Sequence, residues 1–139
     1  MIGILIVAHG TLGESLIQCA THVLGSRPVQ VVALDVTAQT QLSMLDDAQQ
    51  LLRDLDQGEG VLLLSDIYGA TPCNTMCRLL EPGRVEGIAG VNLPMLMRAI
   101  TYRHLAMTEL ITKAVTGGQE GILYITTEFC DAATGHRNS

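Results

Sequence analysis

The chain has 139 residues, of which 47% are hydrophobic and 16% are charged, so it can bury the core of a single domain. A formal net charge of −6 and eight dispersed Lys and Arg residues leave no basic stripe for a nucleic-acid backbone, and we expect no nucleic-acid partner. No apolar run approaches the roughly 18 residues of a membrane span, so we expect a cytoplasmic protein.

The first strand is predicted over residues 2–9, an almost wholly apolar run that ends in His9, Gly10 and Thr11. Such uniform hydrophobicity is typical of a strand covered on both faces, as in a parallel α/β sheet. Ligands of open α/β sheets bind at the carboxyl ends of strands. His9 is therefore predicted to lie at the functional edge of the sheet.

A helix is predicted directly after this strand. Thr11 stands three residues before Glu14, which is the capping-box spacing of a helix start. Gly25 ends the helix. The residues expected on its buried face recur at helical spacing: Leu12, Leu16, Ala20 and Val23. His9 thus lies in a tight turn ahead of a helix N-terminus.

The next segments continue the alternation of strands and helices. Strands are predicted over residues 29–34 and 61–64, with a helix over 42–55 between them. The third strand stops at Ser65 and Asp66, and a further helix opens with Thr71 as N-cap and Pro72 at its first position.

The remaining predictions concern the last third of the chain. A fourth strand is expected over residues 85–91, followed by helices over 94–102 and 108–115, the second of them broken by Gly117 and Gly118. Residues 122–125 are predicted as a fifth strand. Residues 127–139 are small and polar with little periodicity, so they are predicted to be a loose tail after a domain of residues 1–126.

This order of elements predicts an α/β fold, a doubly wound and mainly parallel sheet with helices on both faces. The expected strand order is 2-1-3-4 plus the fifth strand. The switch point then falls between strands one and three, whose ends carry His9 and Asp66.

His9 and Asp66 are the candidate catalytic residues. A carboxylate bonded to one ring nitrogen fixes the tautomer of an imidazole and leaves the other nitrogen as a nucleophile. Two helix N-termini are expected at the same edge, and their free N–H groups favour an anion such as a phosphoryl group. The candidate phosphoryl-binding residues in these two segments are Gly10, Thr11, Gly69, Ala70 and Thr71.

Each of these residues also has a purely structural interpretation. A histidine at a strand end is more often a hydrogen-bonded structural residue, Asp66 can cap a turn, and Thr71 is explained as an N-cap. Composition and spacing by themselves indicate only an α/β domain with an anion site.

Three segments resemble the IIA component of the mannose-family sugar phosphotransferase system (PTS). They are VAHG at residues 7–10, LLSDIYGATPCN at 63–74 and IAGVNLPML at 88–96. The resemblance covers about residues 1–125, in order. Tyr68 stands where the family often has Trp, and Ala70-Thr71-Pro72 stands where it has Gly-Ser-Pro, which keeps the aromatic ring and the hydroxyl.

The resemblance implies that His9 accepts a phosphoryl group from the phosphocarrier protein HPr and passes it to a separate IIB component, with Asp66 as its orienting partner. It implies no metal or cofactor for this step. The chain would serve either sugar transport or regulation as a phosphorylation-state sensor, with at most peripheral contact to a membrane IIC/IID complex. The family is homodimeric, which implies that residues 122–125 pair antiparallel with the sheet of the partner subunit.

Two other classes of protein remain as alternatives. A small tetrapyrrole metal chelatase also begins with a strand ending in His-Gly and would use His9 as a metal ligand. It would need a second strand-end histidine, and none of His22, His104 or His136 is predicted at such a position. A regulatory binding module would keep the fold without an oriented nucleophile.

Further residues have structural predictions. Cys73 and Cys77 share a helix face at four-residue spacing, and packing is favoured over metal binding because no other ligand pair lies nearby. Asn92 and Pro94 are predicted to shape a loop near the switch point, and a structural turn before a helix is an equally good interpretation of them.

Overall fold

The computed structural model describes residues 1–36 and 41–134, without the side chains of residues 41–44. Its sheet has four parallel strands, β1 (Gly3–His9), β2 (Val31–Val36), β3 (Val61–Ser65) and β4 (Val85–Ala89), in the order β2-β1-β3-β4. The predicted α/β class and the order 2-1-3-4 are confirmed. β1 is an inner strand, between β2 and β3.

Helices cover both faces of the sheet. The described helices are α1 (Leu12–Leu24), α2 (Gln41–Leu55), α3 (Thr71–Cys77), α4 (Leu93–Tyr102), α5 (Met107–Glu120) and α6 (Thr127–Thr134). One hydrophobic core contains residues of α1, α4 and α5, and the other contains residues of α2 and α3. The crossovers therefore place helices on both sides of the sheet, as in doubly wound folds.

Alternate residues of β1 enter the two cores. Ile4 and Ile6 belong to the core under α1, α4 and α5, whereas Leu5 and Val7 belong to the core under α2 and α3. All four side chains are fully buried. This two-sided burial explains the uninterrupted apolar sequence that predicted the strand.

Two predictions about α1 are wrong. Thr11 makes no side-chain capping bond, and the carboxylate of Glu14 instead pairs with Arg27 at 2.5 Å from Nη1. The buried residues of this helix are Gly13, Ile17 and Ala20. Of the four predicted core positions, Ala20 is buried and Leu16 is partly buried against the core, whereas Leu12 and Val23 are exposed.

Close packing of α1 on the sheet accounts for this rotation. A Cβ atom on Gly13 would lie 2.9 Å from the Cβ of Ala33 and 3.3 Å from Cγ2 of Ile6. The helix therefore turns its glycine toward β1 and β2, and Leu12 is turned away from the core.

Several boundaries also differ from the predictions. β2 begins two residues later than predicted, and α3 begins at Thr71 with Ala70 as its N-cap, so Thr71 is not the cap. Pro72 lies in the first turn of α3, as expected. β4 is also shorter than predicted, because it ends at Ala89.

Gly117 and Gly118 do not end α5, which continues to Glu120. Their lack of side chains serves helix packing instead. A Cβ on Gly117 would lie 2.6 Å from Cβ of Arg98, and one on Gly118 would lie 2.9 Å from Cε of Met95. The two glycines thus allow α5 to approach α4.

The C-terminal segment differs most from the predictions. Residues 122–126 have no regular secondary structure in the described chain, so the predicted fifth strand is absent from its sheet. The four residues predicted to form it, Ile122, Leu123, Tyr124 and Ile125, are exposed.

A helix, α6, stands where the sequence predicted a loose tail, and none of its residues is buried. The rest of that predicted tail, residues 135–139, lies outside the described residues. None of the helices described is both long and apolar enough to cross a membrane.

Candidate active site

His9 and Asp66 meet at the carboxyl edge of the sheet. His9 is the last residue of β1, and Asp66 follows the last residue of the neighbouring strand β3. Oδ2 of Asp66 lies 2.6 Å from Nδ1 of the His9 ring and accepts the backbone N–H of His9 at 3.0 Å. Its other oxygen, Oδ1, accepts the N–H of Ile67 at 2.9 Å.

These contacts determine the tautomer of the ring. An ionised carboxylate has no proton to donate, so the contact of 2.6 Å requires that Nδ1 carries the hydrogen. In the neutral ring Nε2 then holds the lone pair. No other residue of the described chain forms a hydrogen bond to the His9 ring, and its side chain is 55% exposed. The site therefore presents Nε2 as an accessible nucleophile.

Asp66 is held in its ionised form. Partial burial alone would raise the pKa of its carboxyl, but hydrogen bonds from the backbone N–H of His9, the His9 ring and the N–H of Ile67 outweigh it. The pKa of Asp66 is therefore lower than its ordinary value. The side chain is only 12% exposed, which limits competition from water for these bonds.

Gly10 and Thr11 lead from His9 into α1. Gly10 has a φ of +52°, and its N–H donates to the carbonyl of Val36 at 3.3 Å. Thr11 is the N-cap of α1, but its side chain makes no capping bond to the first-turn N–H groups. These N–H groups begin at Leu12, three residues after His9.

Gly69, Ala70 and Thr71 connect Asp66 to α3. Gly69 has a φ of +85°, a left-handed conformation that favours glycine. Ala70 is the N-cap without a side-chain bond, and Thr71 is the first of seven helical residues. This segment leaves the sheet at the same edge as the segment after His9. One set of predicted phosphoryl-binding residues therefore follows His9 in the chain, and the other follows Asp66.

Comparisons with known proteins identify the family of the chain. Residues 3–115 match the family described as the PTS system fructose IIA component (EIIA-man), and this match covers more than half of the chain. The chain belongs to this family.

Two of the named relatives that the chain matches are PTS proteins. The mannose-specific EIIAB component of Escherichia coli strain K12 is 34% identical over 125 residues, which cover 87% of this chain and 38% of that protein. The fructose-specific EIIA component of Bacillus subtilis strain 168 is 28% identical over 122 residues, covering 86% of this chain and 84% of that protein. This chain therefore spans well under half of the E. coli relative and most of the B. subtilis one.

A solved structure supports the same assignment. The crystal structure of the EIIA component from Streptococcus agalactiae has a TM-score of 0.79 and 26% identity, covering 89% of this chain and 97% of that one. The present protein is thus an EIIA component of a sugar phosphotransferase system. The chelatase alternative is not favoured by these relatives.

Ser65 is a residue of this EIIA site that the sequence analysis did not single out. Its backbone carbonyl accepts the N–H groups of Gly90 and Val91 at 3.0 and 2.9 Å, which ties the end of β4 to the residue before Asp66. Its side chain is fully buried, and Oγ has no hydrogen-bond partner in the described chain. The sequence signal that could have identified Ser65 is its single hydroxyl side chain at the end of the apolar run of residues 61–64.

Asn92 has a structural role in this EIIA fold. Its Oδ1 accepts the N–H of Met95 at 2.9 Å and caps α4, while Nδ2 donates to the carbonyl of Gly118 at 3.1 Å. One side chain thus joins the loop after β4 to α5. This agrees with the alternative prediction for Asn92, a structural turn before a helix.

The cysteine pair and the other histidines show no metal centre. Within residues 1–36 and 41–134, no group of three or more His, Cys, Asp or Glu side chains is arranged to hold an ion. Cys73 is buried and Cys77 is exposed. Desolvation and the neighbouring Cys73 thiol raise the pKa of Cys77. His136, which the sequence analysis also considered, lies outside the described residues.

Proposed function

We propose that this EIIA component is a phosphohistidine carrier, in which His9 accepts a phosphoryl group from phospho-HPr and passes it to a separate IIB component. The observation that carries the proposal is the bond between Nδ1 of His9 and Oδ2 of Asp66 at 2.6 Å. It leaves Nε2 of a half-exposed ring as the nucleophile.

In the transfer, the lone pair of Nε2 attacks the phosphorus of the donor phosphohistidine. A new N–P bond forms at His9 as the N–P bond of the donor breaks, and the donor imidazole leaves with the electron pair. Because Nδ1 keeps its hydrogen, positive charge develops on the His9 ring. The ionised Asp66 offsets this charge, and transfer to IIB reverses the same steps.

The phosphoryl group needs positioning and charge stabilisation, because its transition state is loose and its charge is spread over three oxygens. We assign this role to backbone N–H groups of Gly10, Thr11, Gly69, Ala70 and Thr71. Their support is the position of both segments after His9 and Asp66 and the lack of side-chain caps on α1 and α3. No cofactor or metal is part of this step.

We also propose that the protein works in the cytoplasm as a homodimer. Residues 122–125 would pair with the sheet of the second subunit, and their four exposed apolar side chains support this. Contact with a membrane IIC/IID complex would be peripheral. Whether the carrier serves transport or acts as a phosphorylation-state sensor depends on its IIB partner.

The test is reconstitution with phosphoenolpyruvate, enzyme I and HPr, followed by intact-mass measurement under basic conditions. We expect one acid-labile phosphoryl group on the unsubstituted protein and on the control variant His22→Ala, and none on His9→Ala. A phosphoryl group that persists in His9→Ala overturns the assignment. So does an unmodified EIIA component in a mixture where HPr is phosphorylated.

A further inference from the structure

A cavity of about 460 Å³ lies between α2 and the segment that joins α3 to β4. Its buried lining includes the first residues of two strands, Val61 of β3 and Val85 of β4. His9 and Asp66 lie at the opposite, carboxyl edge of the sheet, and the strand β3 spans about 13 Å between the two edges. The cavity is therefore separate from the site of the catalytic pair.

Three arginines line this cavity, although the whole chain has only eight Lys and Arg residues and a net charge of −6. Arg53 is on α2, Arg78 directly follows α3, and Arg84 directly precedes β4. The carboxylates that line the same cavity are Asp56 and Glu81. An acidic protein thus gathers cations from three separate segments at one concave surface.

The charge of Arg84 is already matched. Its Nη2 lies 2.6 Å from Oδ2 of Asp56, whose Oδ1 accepts the N–H groups of Gly58 and Gly60 at 2.8 and 3.1 Å. These contacts tie the end of α2 to the residue before β4. One wall of the cavity is therefore preformed, and Asp56 does not compete for the other two arginines.

Arg53 and Arg78 are exposed and have no carboxylate partner within residues 1–36 and 41–134. Arg53 donates to the side-chain oxygen of Gln50 at 2.9 Å. The other basic residues of that part of the chain are engaged: Arg27, Arg84 and Arg98 in ion pairs, Lys113 on the Tyr102 ring and Arg103 with the carbonyl of Val29. Both unmatched guanidinium groups thus belong to residues that line the same cavity.

We propose that this cavity binds a small phosphorylated polyol or sugar, whose phosphate is held between Arg53 and Arg78. The planar guanidinium fork matches two phosphate oxygens at once, and two forks suit one dianionic phosphate. With Arg84 paired to Asp56, two cations face one carboxylate, that of Glu81, so positive charge is left for an anion. The inference goes beyond the proposed function, because this ligand does not react at His9.

The remaining lining residues suit the body of such a ligand. Gln49 and Glu81 offer an amide and a carboxylate to hydroxyl groups. Apolar side chains of the lining can pack against carbon-bound hydrogens: Leu52, Val61, Leu79 and Val85. No described residue of the lining is aromatic, so a nucleobase has no ring to stack on. The volume lies within the roughly 300 to 1,000 Å³ of small-molecule sites.

The test titrates isotope-labelled protein with glycerol-3-phosphate and with glucose-6-phosphate at constant ionic strength and follows the backbone amide signals by NMR. Glucose and inorganic phosphate are the matched probes, because one lacks the phosphate and the other lacks the hydroxylated body. Arg53→Gln and Arg78→Gln each remove one cation from the cavity. Arg27→Gln is the control variant, because it removes an equal charge that pairs with Glu14 outside the cavity.

We expect at least one phosphorylated probe to give saturable shifts at residues 49–61 and 78–85, without comparable shifts at residues 9–11 and 69–71. Arg53→Gln and Arg78→Gln should each raise its Kd at least about tenfold, and Arg27→Gln should change it less than about twofold. Arg78→Lys keeps the charge without the fork, so its Kd should fall between. Inorganic phosphate should bind at least about threefold more weakly, and glucose should not saturate.

Other outcomes overturn the inference. It fails if neither phosphorylated probe shifts these signals at concentrations up to about 10 mM. An unchanged Kd in both glutamine variants, or shifts centred on residues 9–11 and 69–71, places the anion outside this cavity. Equal affinity for inorganic phosphate removes the polyol or sugar from the assignment. No readout involves phosphorylation of His9, so failure here is distinct from failure of the proposed function.

Discussion

Oδ2 of Asp66 contacts His9 twice, at 2.6 Å from the ring Nδ1 and at 3.0 Å from the backbone nitrogen of the same residue. The ring and its own backbone are therefore bound to one carboxylate oxygen. Because Asp66 directly follows β3, its side chain joins the ends of β1 and β3, and its other oxygen, Oδ1, accepts the N–H of Ile67. Orientation of the nucleophile thus depends on a group that is part of neither strand.

Replacing Asp66 by Asn should slow phosphoryl transfer to His9 at least about tenfold while the fold is retained. An amide has one acceptor oxygen, whereas all three donors around Asp66 require an acceptor. In one orientation the NH2 group of the amide faces the N–H of Ile67, and in the other it faces both donors of His9. The measurement is single-turnover transfer from phospho-HPr.

Asp66→Ala should likewise slow the transfer, because no oxygen remains to fix the tautomer. Circular dichroism and a urea titration show whether both variants keep the native fold. Transfer at the unsubstituted rate by either folded variant would remove Asp66 from its proposed role.

Asp66 should also make stability depend on pH in the acid range. Its pKa is lowered in the folded state, so the unfolded chain binds the proton more readily. This contribution is fully present above the unfolded pKa of about 3.9 and is lost as pH falls through the folded value. The free energy of unfolding should therefore decline more steeply below about pH 5 in the unsubstituted protein than in Asp66→Asn.

The comparison of the two proteins isolates this group. The pKa of Asp56 is also lowered, mainly by the N–H of Gly58, and this contribution is common to both. Urea titrations at pH values between about 3 and 7 give the free energy of unfolding as a function of pH for the unsubstituted protein and for Asp66→Asn. Parallel curves would show that the contacts of Asp66 make no net contribution to stability.

The sheet order and the meeting of His9 with Asp66 were predictable because both depend on patterns within short segments. Runs such as residues 2–8 and 61–64 are uniformly apolar, which indicates strands buried on both faces. Parallel strands end at one edge, so polar residues after neighbouring strands come together. The family resemblance implied the pairing of these two residues as well.

The rotation of α1 and the length of α5 were not predictable, because both depend on contacts between elements. Gly13 reads as a weak helix residue, yet it lies against Ala33 and is buried where Leu12 was expected. Gly117 and Gly118 were predicted to break the helix, yet they lie within α5 and allow α4 to approach it. A glycine that permits close approach has the same sequence signal as one that ends a helix.

Asn92→Ala should reduce the free energy of unfolding by about 1 to 2 kcal/mol. The change removes the cap on the N–H of Met95 and leaves the carbonyl of Gly118 without its donor. Asn92→Ser keeps a capping oxygen and should recover part of the loss. A urea titration measures all three proteins, and an Asn92→Ala protein as stable as the unsubstituted one would contradict this role.

Gly13→Val should reduce the free energy of unfolding by about 1 to 3 kcal/mol, the usual range for overpacking a filled core. The first added carbon would already lie 2.9 Å from Cβ of Ala33, and two further methyl groups meet the same sheet face. Valine has a better helix propensity than glycine, so any loss arises from packing. Ser15→Val is the matched control, because Ser15 is an exposed residue of the same helix.

Gly13→Val should also slow the transfer to His9, because relief of the clash moves the start of α1 away from the sheet, and Gly10 and Thr11 with it. Ser15→Val should keep both the stability, within about 0.5 kcal/mol, and the transfer rate. Urea titration and single-turnover transfer are measured on the same preparations. A Gly13→Val protein with native stability would show that α1 does not pack against Ala33 as described.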